Sequence, residues 1–207
     1  MEKIDRNSWK RKEIYELFSK VDYPFYSVTL PIDITNAKRV AREEKISLYY
    51  LMIWLCTKAI NSVPDFRLRI RGGELYRLDE TNPSLTDSCE DEDLFKIVTV
   101  KWEKDYRSFC QKTKETSRAQ TCFLDESKEG DDLIYFSTTP WFDFTALTNE
   151  HSFNKDDFIP RLTWGKYYEE NGKLMVHLSI EVNHRVIDGK HIAAFKEALD
   201  WEMEQFG

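Results

Sequence analysis

The 207-residue sequence contains no apolar run near the roughly 20 residues that a membrane-spanning helix needs. Its first residues also lack the apolar core of an export signal. The cysteines show no C-x-x-C spacing, and without an export signal we expect reduced thiols at Cys56, Cys89, Cys110 and Cys122. Together these absences argue against a membrane protein and predict a cytoplasmic one.

The sequence also lacks an excess of positive charge and any histidine spacing typical of a metal site. Thirty-seven acidic side chains against 30 basic ones give a net charge of −7, which argues against a nucleic-acid partner. The four histidines show no H-x-x-x-H or similar spacing, so we predict no metal. No repeat, low-complexity tract or linker interrupts the chain, and we expect one domain over residues 1–207.

Aromatic residues make up 14% of the chain, which suits large buried surfaces or an aromatic pocket. Helical patterns alternate with strand patterns, several of them joined by hairpin turns. This order predicts an α/β (α+β) two-layer sandwich with a mixed sheet. The clearest local signals are helix caps at Ser8, Thr35, Ser47 and Asp188, hairpin turns at 71–73 and 171–172, and an acidic loop at 88–93.

Residues 174–190 form the stretch from which the rest of the sequence is interpreted. Apolar residues at even positions from Leu174 to Val182 alternate with mostly polar ones, which predicts a half-buried strand. His184 continues the inward parity at the strand end, and Asp188 and Gly189 follow before a helical pattern. Imidazole is the commonest general base near neutral pH, although a structural histidine and a simple helix cap fit the same residues. His177 has the opposite parity, so we do not expect it to join His184.

The pattern His184-x-x-x-Asp188-Gly189 resembles the motif of coenzyme A-dependent acyltransferases such as the chloramphenicol acetyltransferases. Further stretches resemble that family in the same order, namely Ser8-Trp9-Lys10-Arg11-Lys12-Glu13, Ile32-Asp33-Ile34-Thr35, Pro64-Asp65-Phe66-Arg67, Gly73-Glu74-Leu75, Pro140-Trp141 and Thr163-x-Gly165-Lys166-Tyr167. The resemblance spans nearly the whole chain. It implies the coenzyme A-dependent acyltransferase fold, acetyl-CoA as co-substrate, no metal, and a homotrimer with active sites at the subunit interfaces.

The resemblance also implies roles for single residues. His184 would take the proton from an acceptor hydroxyl so that its oxygen attacks the thioester carbonyl. Asp188 would pair with Arg11 and hold the turn, and Thr163 would support the tetrahedral intermediate through a water. Tyr49, Lys166 and Tyr167 would bind coenzyme A, although both tyrosines also fit ordinary packing. Where the family tends to have a lysine this chain has Ser47, and Lys45 stands close by to compensate.

The acceptor pocket is the part of the resemblance with the fewest matching residues. An aromatic lining is expected at Phe25, Phe142, Phe144 and Phe158, which suits chloramphenicol or another small hydrophobic alcohol. Ala146 stands where the family has the serine that donates to the oxyanion, and Asn183 where it usually has a second histidine. The alternative function is therefore a catalytically impaired trimeric ligand-binding or sensing homologue. A dihydrolipoyl acyltransferase is a third reading, disfavoured because no lipoyl domain or linker precedes the motif.

Overall fold

A computed structural model describes residues 1–89 and 93–206. Its helices are α1 (Lys12–Ser19), α2 (Thr35–Glu43), α3 (Leu48–Ser62), α4 (Tyr106–Ala119) and α5 (Gly189–Gln205), with short 3-10 helices at Pro64–Arg67 and Glu126–Lys128. Its strands are β1 (Glu2–Lys3), β2 (Phe25–Asp33), β3 (Leu68–Arg71), β4 (Glu74–Arg77), β5 (Asn82–Ser88), β6 (Phe95–Thr99), β7 (Leu133–Thr139), β8 (Arg161–Gly165), β9 (Tyr168–Glu170) and β10 (Lys173–Asn183).

Seven strands form one mixed sheet in the order β2-β10-β8-β7-β5-β6, with β9 added beside β10. The pairs β5–β7 and β7–β8 are parallel, and the other pairs are antiparallel. A separate small sheet has the order β1-β4-β3. The expected α/β (α+β) architecture with a mixed sheet is confirmed. None of the helices in the described residues is both long and apolar enough to span a membrane.

The core lies between the sheet and two helices that pack against each other, α3 and α5. Helix α3 is buried on nearly all sides, as its apolar sequence predicts, and Ser47 caps it by accepting from the Tyr50 amide. The even residues of β10, from Val176 to Val182, are buried in the same core. This confirms the inward face of the predicted strand.

The odd face of β10 differs from a solvated strand face. Ser179, Glu181 and Asn183 are all buried, because residues 147–157 cross over them and supply polar partners. Period-2 alternation locates the two faces of a strand but does not tell whether a later segment covers the polar one.

Two local predictions at helix starts are wrong. Helix α1 begins at Lys12 with Arg11 at the cap position, and the Ser8 hydroxyl instead binds Asp5. Thr35 is already inside α2, and Ile34 takes the cap position. Both hydroxyls bond an aspartate two or three residues earlier, a local alternative to helix capping. The predicted acidic loop at 88–93 lies partly outside the described residues.

Candidate active site

His184 follows directly after β10, beside the start of β2. Its backbone N–H donates to the Pro24 carbonyl at 2.7 Å. Its ring stacks on Phe18 of α1 with centroids 3.9 Å apart, and the Tyr26 ring of β2 lies 4.6 Å away. Nδ1 is buried and has no hydrogen-bond partner among the described residues. Aromatic contacts on two elements therefore fix the ring plane.

Sequence reasoning missed both aromatic partners of His184. Phe18 fits the apolar side of α1, and Tyr26 belongs to a strand rich in aromatic residues. Their positions relative to His184 depend on the docking of α1 and β2 beside the end of β10, which no local pattern encodes.

Arg11 and Asp188 brace the turn after the histidine. Arg11 Nη1 donates to Asp188 Oδ2 at 2.7 Å, which is the pairing that the resemblance implies. Asp188 also caps α5, since its Oδ1 accepts from the Lys190 amide at 3.0 Å, and its own amide donates to His191 Nδ1. Partial burial opposes ionisation of Asp188, but the hydrogen bond from Arg11 and the nearby charges outweigh it and lower its pKa. The carboxylate therefore stays charged at neutral pH and holds two elements together.

The segment that follows Ala146 contacts Thr163 and Ser179, at a distance from His184. The Thr163 hydroxyl donates to Asn149 Oδ1 at 3.1 Å, and Ser179 Oγ donates to the Leu147 carbonyl at 3.0 Å. Thr163 is paired with Ser179 in the sheet, five residues before His184 along β10. At about 3.4 Å per residue, that separation is roughly 17 Å. One chain therefore does not place its own Thr163 next to its own His184.

The segment before Ala146 packs tightly on the end of β8. A Cβ on Gly165 would lie 2.9 Å from the Phe142 carbonyl oxygen and 3.1 Å from Asp143 Cα, so only glycine fits there. The Lys166 amide donates to the same carbonyl at 2.9 Å. His177 Nδ1 lies 3.0 Å from the Asp143 carboxylate, which anchors the segment from the side. As expected, His177 does not join His184.

The three candidate coenzyme A residues differ in whether their side chains are free to contact a ligand. The Tyr49 hydroxyl donates to the Thr86 carbonyl at 2.6 Å, and burial raises the pKa of this phenol. Tyr167 is 45% exposed, and the Lys38 ammonium lies 4.9 Å from its ring centroid. Lys166 is exposed. Tyr167 and Lys166 are thus open to a ligand, whereas the hydroxyl of Tyr49 is committed to the fold.

The four candidate acceptor-pocket phenylalanines differ in burial and in partners within the described chain. Phe25 is buried and stacks on His151 with centroids 4.0 Å apart, and Phe158 is buried beneath the Arg185 guanidinium. Phe142 is exposed and Phe144 is half-buried. Large exposed aromatic rings lie close to these residues in sequence, at Trp141 (79% exposed) and Phe153 (84%). Within this chain both rings face solvent.

The model of the chloramphenicol acetyltransferase family matches residues 1–200. The chain belongs to the chloramphenicol acetyltransferase family. A chloramphenicol acetyltransferase from Clostridium perfringens is 33% identical over 202 residues, covering 96% of each chain. One from Escherichia coli is 28% identical over 207 residues, covering 95% of this chain and 90% of its own. The expected class of enzyme, an acyltransferase, is confirmed.

Solved structures agree with the family assignment at the level of the fold. A chloramphenicol acetyltransferase structure superposes with a TM-score of 0.90 at 23% identity, covering 98% of this chain and 100% of that chain. The cubic core of the pyruvate dehydrogenase multienzyme complex gives a TM-score of 0.68 at 17% identity, covering 93% and 89%. The coenzyme A-dependent acyltransferase fold is therefore confirmed.

Proposed function

We propose that this protein transfers the acetyl group of acetyl-CoA to a hydroxyl of chloramphenicol or a similar small hydrophobic acceptor, with His184 as general base. The observation that carries the proposal is the position of His184. Its ring is clamped by Phe18 and Tyr26 and stands beside a turn that Arg11 and Asp188 brace. Family membership adds the acceptor class, since the relatives are chloramphenicol acetyltransferases.

The proposed step needs a base because an alcohol does not ionise near neutral pH. His184 Nε2 takes the hydroxyl proton while the oxygen attacks the thioester carbonyl carbon. The tetrahedral oxyanion then collapses, the carbon–sulfur bond breaks, and the imidazolium returns the proton to the departing thiolate. The products are the acetyl ester and free coenzyme A. Proton transfer by a positioned side chain of this kind contributes about 100- to 10,000-fold to the rate.

The separation between His184 and Thr163 within one chain supports a homotrimer with shared sites. His184 lies roughly 17 Å along β10 from the level of Thr163, at about 3.4 Å per residue. Both groups can act on one carbonyl only if a neighbouring subunit brings its Thr163 to this chain's His184. The exposed rings of Trp141, Phe142 and Phe153 supply apolar area for such a contact. Tyr167 and Lys166, exposed at the end of β8, are the proposed coenzyme A contacts.

The test is a thiol-release assay with acetyl-CoA and chloramphenicol. We expect turnover in the wild type and its loss in His184→Ala. Glu197→Ala, which removes an exposed side chain of α5 outside the proposed site, is the control. If wild type and His184→Ala release thiol equally slowly, the proposal fails.

A second candidate function rests on one observation. Ala146 is exposed and offers no hydroxyl at the position where the oxyanion donor is expected. Loss of a single donor costs about 100- to 1,000-fold in turnover. A trimer that binds the acceptor without acetylating it would show thermal stabilisation by chloramphenicol with no acetylated product. Rapid product formation by the unmodified protein would exclude this function.

A further inference from the structure

The polar face of β10 holds a long segment in place. Ser179 binds the Leu147 carbonyl, and Glu181 accepts from the Asn149 amide at 2.8 Å. Asn183 donates to the carbonyls of Lys155 and Asp157. Residues 147–157, called the crossing segment below, are therefore pinned along the strand that ends at His184. The same segment follows directly after Ala146 and contains Asn149, the partner of Thr163.

His151 is the histidine of this segment, and nothing in the proposed reaction uses it. Its side chain is 1% exposed and forms an ion pair with Glu181, itself 2% exposed. Its other ring nitrogen, Nδ1, lies 3.7 Å from Asp157 Oδ2. The two ring nitrogens therefore face two different carboxylates in a buried environment.

The groups around the ring make its charged form the favoured one. On β2, Ser27 donates to Glu181 at 2.7 Å, Phe25 stacks on the imidazole, and the nearby Tyr23 ring meets its edge. On β8, Arg161 donates to Asp157 at 2.8 Å, so the buried cluster holds two carboxylates, one guanidinium and one imidazole. With the ring protonated these charges balance. A neutral imidazole carries one N–H and leaves the cluster with an excess negative charge.

The pKa directions agree with this geometry. Burial acts against the charged imidazole, but Asp157 and Glu181 outweigh it, and the pKa of His151 is raised. Burial also opposes ionisation of the two carboxylates, yet His151 and the other donors lower the pKa of Glu181 and take that of Asp157 to about 2. All three groups therefore favour the same charged arrangement.

We propose that His151 is a positioning residue whose imidazolium pins the crossing segment to β10, and that loss of this pin sets the alkaline limit of catalysis. The part of this inference that concerns catalysis rests on the acetyl transfer proposed above. His184 must be neutral to accept a proton, whereas His151 must be charged to bridge Glu181 and Asp157. Activity therefore needs a neutral His184 and a charged His151. At alkaline pH His151 loses its charge, and with it the pin.

The sign of the effect on stability follows from linkage. A histidine whose pKa is raised by folding contributes stability that is complete below its unfolded value, about 6.5, and is lost as pH rises through the folded value. The free energy of unfolding should therefore fall between about pH 6.5 and the folded pKa in the wild type. The same fall should be absent in His151→Gln, whose side chain stays neutral.

The experiment combines three measurements on the full-length protein. The first follows the ring of His151 by NMR titration, assigned by the signal missing in His151→Gln. The second is denaturant unfolding from pH 6 to 9, and the third is turnover of chloramphenicol against pH. Glu181→Gln keeps the shape of the partner and removes its charge. Glu150→Gln removes an exposed carboxylate from the same segment and is the matched control.

We expect the His151 ring to titrate above the ordinary range and Glu181→Gln to lower that value. Wild-type turnover should fall at alkaline pH. His151→Gln should turn over about 10- to 100-fold more slowly than the wild type at neutral pH, because a small misplacement of a reacting group costs about this factor in rate. Its turnover should show no further fall at alkaline pH. Glu150→Gln should behave like the wild type. An alkaline fall that persists unchanged in His151→Gln would overturn the proposal, as would a ring that titrates in the ordinary range. If even the wild type turns over no chloramphenicol, the acetyl-transfer proposal fails, and the titration and unfolding data still decide whether the pin exists.

Discussion

Removing the Asp188 carboxylate tests the Arg11–Asp188 pair beside His184. Asp188→Ala deletes the N-cap of α5, which costs about 1 kcal/mol, and leaves Arg11 without its partner. The Arg11 and Asp188 side chains are 16% and 26% exposed. The pair therefore lies between exposed pairs, worth up to about 1 kcal/mol, and buried pairs, whose breakage costs about 3–5 kcal/mol. We expect a total loss of about 2–3 kcal/mol from the free energy of unfolding.

The assay is urea denaturation at one fixed protein concentration, with turnover measured in parallel. Asp188→Asn separates the two contributions, because asparagine caps a helix as well as aspartate does but carries no charge to pair with Arg11. Asp200→Ala is the matched control, since it removes an exposed carboxylate that pairs with Lys196 on the same helix, and it should cost under about 0.5 kcal/mol. If Asp188→Ala is no more destabilising than Asp200→Ala, the brace contributes nothing and the reasoning is refuted.

Three further substitutions probe the site. His184→Gln should lower turnover by about 100- to 10,000-fold. The thermal midpoint should fall only slightly, because the substitution removes ring stacking on Phe18 but Nδ1 has no hydrogen-bond partner among the described residues; a large fall in the midpoint would contradict this. Ala146→Ser should raise turnover by up to about 100-fold if the oxyanion lacks a hydrogen-bond donor. Unchanged steady-state kinetics would show that another group already supplies this donor. Gly165→Ala should cost about 1–3 kcal/mol in unfolding experiments and lower turnover, because its Cβ would meet the Phe142 carbonyl at 2.9 Å. Gly189→Ala, whose Cβ meets nothing within 4 Å, should leave stability unchanged or slightly raised, and equal losses in the two glycine variants would refute the packing argument.

Local chemistry made much of the fold predictable from the sequence. Ser47 and Asp188 cap α3 and α5 as expected, because both place a short side-chain oxygen just before an apolar helical pattern. The turn at 171–172 holds Asn171 and Gly172 at positive φ, which these two residue types tolerate best. Strand β5 was not predicted, because its sequence NPSLTDS has few strand-forming residues. Its neighbours β6 and β7 on both sides supply the pairing.

The candidate site was predictable only where a residue's neighbours are close in sequence or the family resemblance supplies them. His184, Asp188 and Arg11 came from a motif, and the Arg11–Asp188 contact is present. The Phe18–His184 stack and the His151–Glu181 pair were missed, because both join segments far apart in sequence whose approach depends on the whole sheet. The burial of Glu181 in particular contradicts its appearance as a polar residue on an alternating strand.

In the proposed reaction, His184 of one subunit acts on a carbonyl held by its neighbour. Two variants, each expected to be inactive alone, test it directly: His184→Ala removes the base, and Ala146→Trp fills the exposed position where the oxyanion is expected. Co-expressed with different affinity tags and purified through both, their hybrid trimers each contain one interface of three at which an intact His184 meets an intact Ala146 segment. We expect about one third of wild-type turnover in these hybrids. Hybrids as inactive as both parents would contradict it.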